Sequence, residues 1–89
     1  MDKIRSVVIG VIEDRGRYLL TKRAKGTYLA GKWDFAGGKI EDQESIEDAL
    51  RREILEETGL EIYILGLIKE AWVRFDRSLT RIFFNAVSN

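Results

Sequence analysis

Residues 45–59 constrain the fold of this chain more than any other stretch. Ser45-Ile46-Glu47-Asp48 has the S/T-x-x-D/E pattern that starts a helix, and Gly59 is placed to end it as a left-handed cap. At about 100° per residue, Ile46, Ala49, Leu50 and Ile54 fall on one stripe. A helix with a single apolar stripe must lay it on another element. The rest of the chain offers only strand-like material for that purpose.

Ile4–Ile12 is apolar and largely β-branched, Asp14-Arg15-Gly16 is a turn signal, and Tyr18-Leu19-Leu20 resumes an apolar run, which together predict a β-hairpin. Residues 24–38 hold four glycines (Gly26, Gly31, Gly37, Gly38) around Trp33 and Phe35. They predict a loop with aromatic anchors packed under it, leading into a short extended piece at Lys39-Ile40. Glu61–Phe75 and Leu79–Val87 predict a second hairpin turning at Asp76-Arg77-Ser78. The expected class is α/β, in the order ββ, loop, α, ββ.

With 89 residues the chain is one domain at most. A domain of this size buries on the order of 60% of its unfolded surface, so the core is modest. It has no Cys and no His, which excludes a disulfide framework, thiolate and imidazole nucleophiles and zinc sites of the usual kinds. Any metal must sit on oxygen. The longest early apolar run, Val7–Ile12, is far short of the ~20 residues that span a bilayer, so no membrane association and a cytoplasmic protein are expected.

The helix also carries acids where apolar residues belong. Glu53 and Glu57 fall on the apolar stripe and Glu56 at its edge. An unpaired buried carboxylate costs several kcal/mol or is protonated, so three acids clustered there call for a cation. Alternatively, the end of the helix projects past the sheet, where the acids are solvated or paired with Arg52. If they hold a metal, all-oxygen ligands favour Mg²⁺ or Mn²⁺. The formal charge of zero conceals a similar pattern. Residues 15–39 hold seven bases (Arg15, Arg17, Lys22, Arg23, Lys25, Lys32, Lys39) against Asp34, and residues 40–57 hold eight acids against Arg51 and Arg52. This charge separation is either solvated surface or a site.

From Gly38 to Leu60 the chain resembles the Nudix box, G-x5-E-x7-R-E-U-x-E-E-x-G-U with U a bulky aliphatic. Gly38, Glu44, Arg52, Glu53, Ile54, Glu56, Glu57, Gly59 and Leu60 occupy all nine specified positions at full spacing. Thr21-Lys22-Arg23 closing a strand, and Trp33-Asp34-Phe35 ahead of Gly37-Gly38, are similar to the MutT-like branch. Ala36 departs from the family's usual proline, which loses stiffness and no chemical group.

The resemblance implies a mixed β-sheet with the box helix packed on it and hydrolysis of a pyrophosphate linkage in a small-molecule nucleotide, with Mg²⁺ (or Mn²⁺) as cofactor. It implies Glu53, Glu56 and Glu57 as metal ligands with the Gly38 carbonyl in addition, and Glu53, Arg52 and Glu57 as the catalytic set, with Glu53 a candidate base. Arg52 is expected to orient Glu53, while Glu44 and Gly59 support the box. Arg23 and Lys39 are expected to meet substrate. The family usually continues into a C-terminal helix that covers one sheet face. That layer is expected to be missing here, so that either residues 1–89 are a truncated domain or a second copy of the chain covers the open face. The second functional reading is a nucleotide- or RNA-end-binding module with little turnover. General nucleic-acid binding is disfavoured by the zero net charge and the acidic block that follows the basic one.

Overall fold

The computed structural model describes residues 3–23, 31–75 and 77–89. Strands β1 (Lys3–Asp14), β2 (Arg17–Tyr18), β3 (Leu20–Lys22) and β4 (Trp33–Lys39) precede helix α1 (Ile46–Thr58), and β5 (Tyr63–Phe75) and β6 (Ser78–Ser88) follow it. The main sheet runs β3-β4-β1-β6-β5, with β2 paired to β1 alone. It is mixed, because β1 and β6 are parallel while β1–β4, β3–β4 and β5–β6 are antiparallel.

The first hairpin turns where expected, with Arg15 (φ 54°) and Gly16 (φ 79°) both left-handed between Asp14 and its partner Arg17. Its return strand is not continuous. The Leu19 amide still donates to the Ile12 carbonyl, but from Leu20 onward the chain leaves β1 and pairs with β4. The larger departure is at residues 24–38. From Trp33 on, the expected loop and the short extended piece at Lys39-Ile40 give way to a full strand, Trp33–Lys39, while Gly31 and Lys32 precede it outside any strand. Glycines signalled a loop, yet Gly37 serves a strand, because a Cβ there would overlap the Val8 carbonyl of the neighbouring strand. Lys25 and Gly26 of the predicted loop, and Asp76 of the second turn, lie outside the described residues.

The helix ends are those the sequence predicts. The Ser45 side chain accepts from the Asp48 amide at 3.0 Å, and Gly59 (φ 76°) donates to the Leu55 carbonyl at 2.9 Å. Ala49, Leu50 and Ile54 are buried against Val8, Ile12, Ala36, Phe83 and Val87, with Ile46 and Leu60 packed at the margin. Gly10 sets the closeness of helix to sheet, since a Cβ there would overlap the end of Ile54. Burying each such aliphatic side chain contributes on the order of 1.5–3 kcal/mol.

Residues paired across β1 and β6 share a face. Val8, Ile12, Phe83 and Val87 therefore look toward α1, while Val7, Ile9, Val11, Ile82 and Phe84 look away from it. Among the described residues no second layer lies on that other face. None of the described helices is long and apolar enough to cross a membrane.

Candidate functional site

The end of α1 lies across β4, so the acids expected on its stripe are brought over the paired glycines. Gly38 is opposite Val8 on the helix-facing side. A Cβ on Gly38 would overlap the Glu53 carboxylate, so the missing side chain is the space that Glu53 occupies. The Glu53 side chain is only 16% exposed, whereas that of Glu56 is 59% exposed. Hence Glu53 is on the stripe and Glu56 at its rim.

Glu57 reaches the edge of β4. The pairing of β3 with β4 ends at Leu20 opposite Phe35, so among the described residues the strand edge beyond Phe35 has no strand partner on that side. The Gly37 amide there donates to Glu57 Oε2 at 3.3 Å, and the Thr21 hydroxyl donates to the same oxygen at 3.4 Å. Burial raises the Glu57 carboxyl above the usual carboxylate range. The Gly37 amide opposes that shift, the negative charge of Glu53 adds to it, and Thr21 and the charge of Arg23 oppose it in turn.

Arg52 ties the box together. Its Nε and Nη2 bond both oxygens of Glu44 at 2.7 and 3.0 Å, its Nη1 meets Glu53 Oε1 at 2.9 Å, and Nη2 also donates to the Lys39 carbonyl at 3.0 Å. Glu56 lies 3.5 Å from Nη1. Glu44 closes the turn before the helix as well, accepting from the Glu41 amide at 3.0 Å. These bonds hold the Glu44 carboxyl down at about 2, with the Arg52 hydrogen bond as the largest cause, and they push the Arg52 guanidinium upward. The bracing of the box by Glu44 and the Arg52–Glu53 bond, both expected from the resemblance, are thus present.

A consequence follows for stability. A carboxyl lowered in the folded state stabilises the fold above its unfolded value of ~4.3, and that contribution is lost as pH falls toward 2. Thermal melts should therefore show a falling Tm between about pH 5 and pH 2. Glu44→Gln should melt lower than wild type at pH 7 and show a shallower fall over that range. Parallel Tm–pH curves for the two proteins would contradict this.

Arg23, Lys39, Gly38 and Glu57 line one cleft of about 530 Å³. Val7, Ile9 and Phe35 give it an apolar wall, and Thr21, Lys22 and Asp34 complete its rim. Two strand-end cations thus share a cleft with one acid of the helix, Glu57, so the opposed charge blocks meet there. Trp33 is not the buried anchor expected, being 63% exposed on β4 opposite exposed Lys22. Phe35 meets Tyr18 edge-on at 6.1 Å between ring centroids. Thr21 was legible only as part of a strand-end motif, because its partner Glu57 lies 36 positions away.

Among the described residues no group of three or more acids is gathered tightly enough to enclose a metal ion. The donor chemistry nevertheless fits a hard cation. Two helix carboxylates, Glu53 and Glu57, repel one another, burial opposes the ionisation of Glu57, and Gly38 beneath them has no side chain to keep Glu53 off the strand backbone.

A cleft where Glu57 of the helix stands beside two strand-end cations, on a mixed sheet bearing one helix, is the architecture of an α/β domain with a charged site. The chain belongs to the Nudix family, whose NUDIX domain model matches residues 2–88. It is 37% identical to an 8-oxo-dGTP diphosphatase of Proteus vulgaris over 87 residues, covering 94% of this chain and 78% of that protein. It is 48% identical to a CTP pyrophosphohydrolase of Escherichia coli over 59 residues, covering 66% of this chain and 44% of the relative. Similarity to an 8-oxo-dGTP diphosphatase of Buchnera aphidicola is 38% over 60 residues, covering 67% of this chain and 46% of that protein. In the last two cases the match spans less than half of the relative's length. The crystal structure of a MutT protein from Methanosarcina mazei superposes with a TM-score of 0.86 at 25% identity, covering 96% of this chain and 63% of that one.

Proposed function

We propose that this domain hydrolyses the pyrophosphate linkage of a nucleoside di- or triphosphate derivative with Mg²⁺, or Mn²⁺, as cofactor. The observation that carries this reading is the single cleft in which Arg23 and Lys39 stand with Gly38 and Glu57 of the box. Its volume suits a nucleotide-sized ligand. Arg23 and Lys39 attract and orient the phosphates, and the apolar wall of Val7, Ile9 and Phe35 suits the base. Glu53, Glu56, Glu57 and the Gly38 carbonyl would hold the metal. A bound Mg²⁺ would neutralise phosphate oxygens and lower the pKa of its water. Arg52 restrains Glu53 through a charge-assisted bond, and Glu44 in turn restrains Arg52. The relatives named as an 8-oxo-dGTP diphosphatase and a CTP pyrophosphohydrolase support the substrate class.

The test is release of phosphate or pyrophosphate from a panel of nucleoside triphosphates, ADP-ribose and dinucleoside polyphosphates, with and without Mg²⁺. Turnover that vanishes with EDTA and returns with Mg²⁺ is the expected outcome. Tight nucleotide binding by calorimetry with no product across the panel would replace this reading with that of a binding module.

A further inference from the structure

We propose that Thr21 is a positioning residue for Glu57, setting which way its carboxylate faces in the cleft. The inference rests on the metal-dependent reading above and extends it to a residue outside the box. Both donors to Glu57 come from the sheet, the Thr21 hydroxyl at 3.4 Å and the Gly37 amide at 3.3 Å, and both bonds fall on Oε2. Two donors from different strands converging on one oxygen hold Oε2 at the strand edge, where a single donor would hold it less firmly.

The topology makes this arrangement. Thr21 pairs with Asp34, one register step from the place where β3 ends along β4, so its side chain stands at the start of the unpartnered strand edge. The last turn of α1 crosses that edge and fills it with Glu57. The Thr21 hydroxyl has a competing acceptor, the Asp34 carbonyl at 3.5 Å, but it has only one proton. The charge-assisted bond to the carboxylate is the stronger of the two. β-Branching restricts the Thr21 side chain on its strand, so the hydroxyl is presented to Glu57 at small entropic cost. Groups that orient a metal-binding carboxylate typically change metal affinity or activity by about 10- to 100-fold when removed.

The experiment compares wild type with Thr21→Val, which keeps the shape and removes the hydroxyl, and Thr21→Ser, which keeps the hydroxyl. Hydrogen exchange of the Gly37 amide, measured without metal, reads the positioning directly. It should be roughly 10-fold faster in Thr21→Val and close to wild type in Thr21→Ser. Mn²⁺ affinity by electron paramagnetic resonance should fall by about 10-fold in Thr21→Val, with kcat falling more than KM changes and with Thr21→Ser recovering most of both. Unchanged Gly37 exchange and Mn²⁺ affinity in Thr21→Val would overturn the role of Thr21 while leaving the hydrolase reading standing. Equal impairment of both variants would overturn it too, because the cause would then be packing. A wild-type protein that neither binds Mn²⁺ nor turns over nucleotide would overturn the hydrolase reading and this role with it.

Discussion

Glu53→Gln should lower Mg²⁺-dependent nucleotide hydrolysis by on the order of 10³-fold while leaving the circular dichroism spectrum unchanged. The substitution is nearly isosteric, so the space over Gly38 stays filled and the helix keeps its seat. What it removes is a charge. Glu53 is the least exposed of the three box acids and the one bonded to Arg52 at 2.9 Å, so it is the best fixed of the proposed ligands. A metal ligand that stabilises developing charge by several kcal/mol corresponds to a loss of about three powers of ten, at 1.36 kcal/mol per factor of ten. Loss of its anion also removes a repulsion that raises Glu57. The Glu57 carboxyl should therefore titrate lower in the variant, which carbon-detected NMR of the metal-free protein would read. Activity within tenfold of wild type would remove Glu53 from the proposed catalytic set.

The largest effect on stability is expected from Gly37→Ala. The added Cβ would overlap the Val8 carbonyl, with the Ile9 Cα 3.0 Å away. These are backbone atoms in the middle of the β1–β4 ladder, where Ile9 pairs with Gly37. The clash can be relieved only by parting two strands. Overpacking of this kind costs on the order of 3 kcal/mol or more, against a total stability of roughly 5–15 kcal/mol for a domain. Urea denaturation should show the midpoint of Gly37→Ala far below that of wild type, or no folded baseline at all. Gly38→Ala is the informative contrast. Its Cβ meets the end of the Glu53 side chain, which can swing aside. That variant should fold with little loss of stability and lose most of its turnover, because Glu53 leaves its seat. Equal stability losses for the two alanine variants would contradict this distinction.

The box helix was legible because every signal that defines it is local. Ser45 bonds an amide three positions on, Gly59 takes a left-handed turn, and Ala49, Leu50 and Ile54 recur at helical spacing. The extent of β4 was not legible. Gly37 and Gly38 are glycines for reasons that lie on other elements, the Val8 carbonyl in one case and the Glu53 carboxylate in the other. A sequence window containing them reads as a loop, since nothing within the window distinguishes a glycine needed for a turn from one needed for close approach. Trp33 belongs to the same strand, where it stands beside exposed Lys22 and is itself exposed. The Arg52–Glu53 tie was expected from resemblance to the box, the Arg52–Glu44 bond was not, and local spacing alone left Arg52 as a plain surface ion pair.

By itself the sequence determined the helix and its caps, the apolar stripe it buries, the all-oxygen donor chemistry, and membership of a family whose box it matches at every specified position. These properties depend on residue identity and on spacing within about one or two helical turns. The tertiary structure decided where the acids point. It started β3 only at Leu20, left the β4 edge beyond Phe35 without a partner on the β3 side among the described residues, and laid the last turn of α1 across that edge. Glu57 therefore meets Thr21 and Gly37, and Glu53 meets Gly38. Sheet pairing joins residues far apart in the chain, and their mutual geometry is set by strand register and helix packing, which no local pattern encodes.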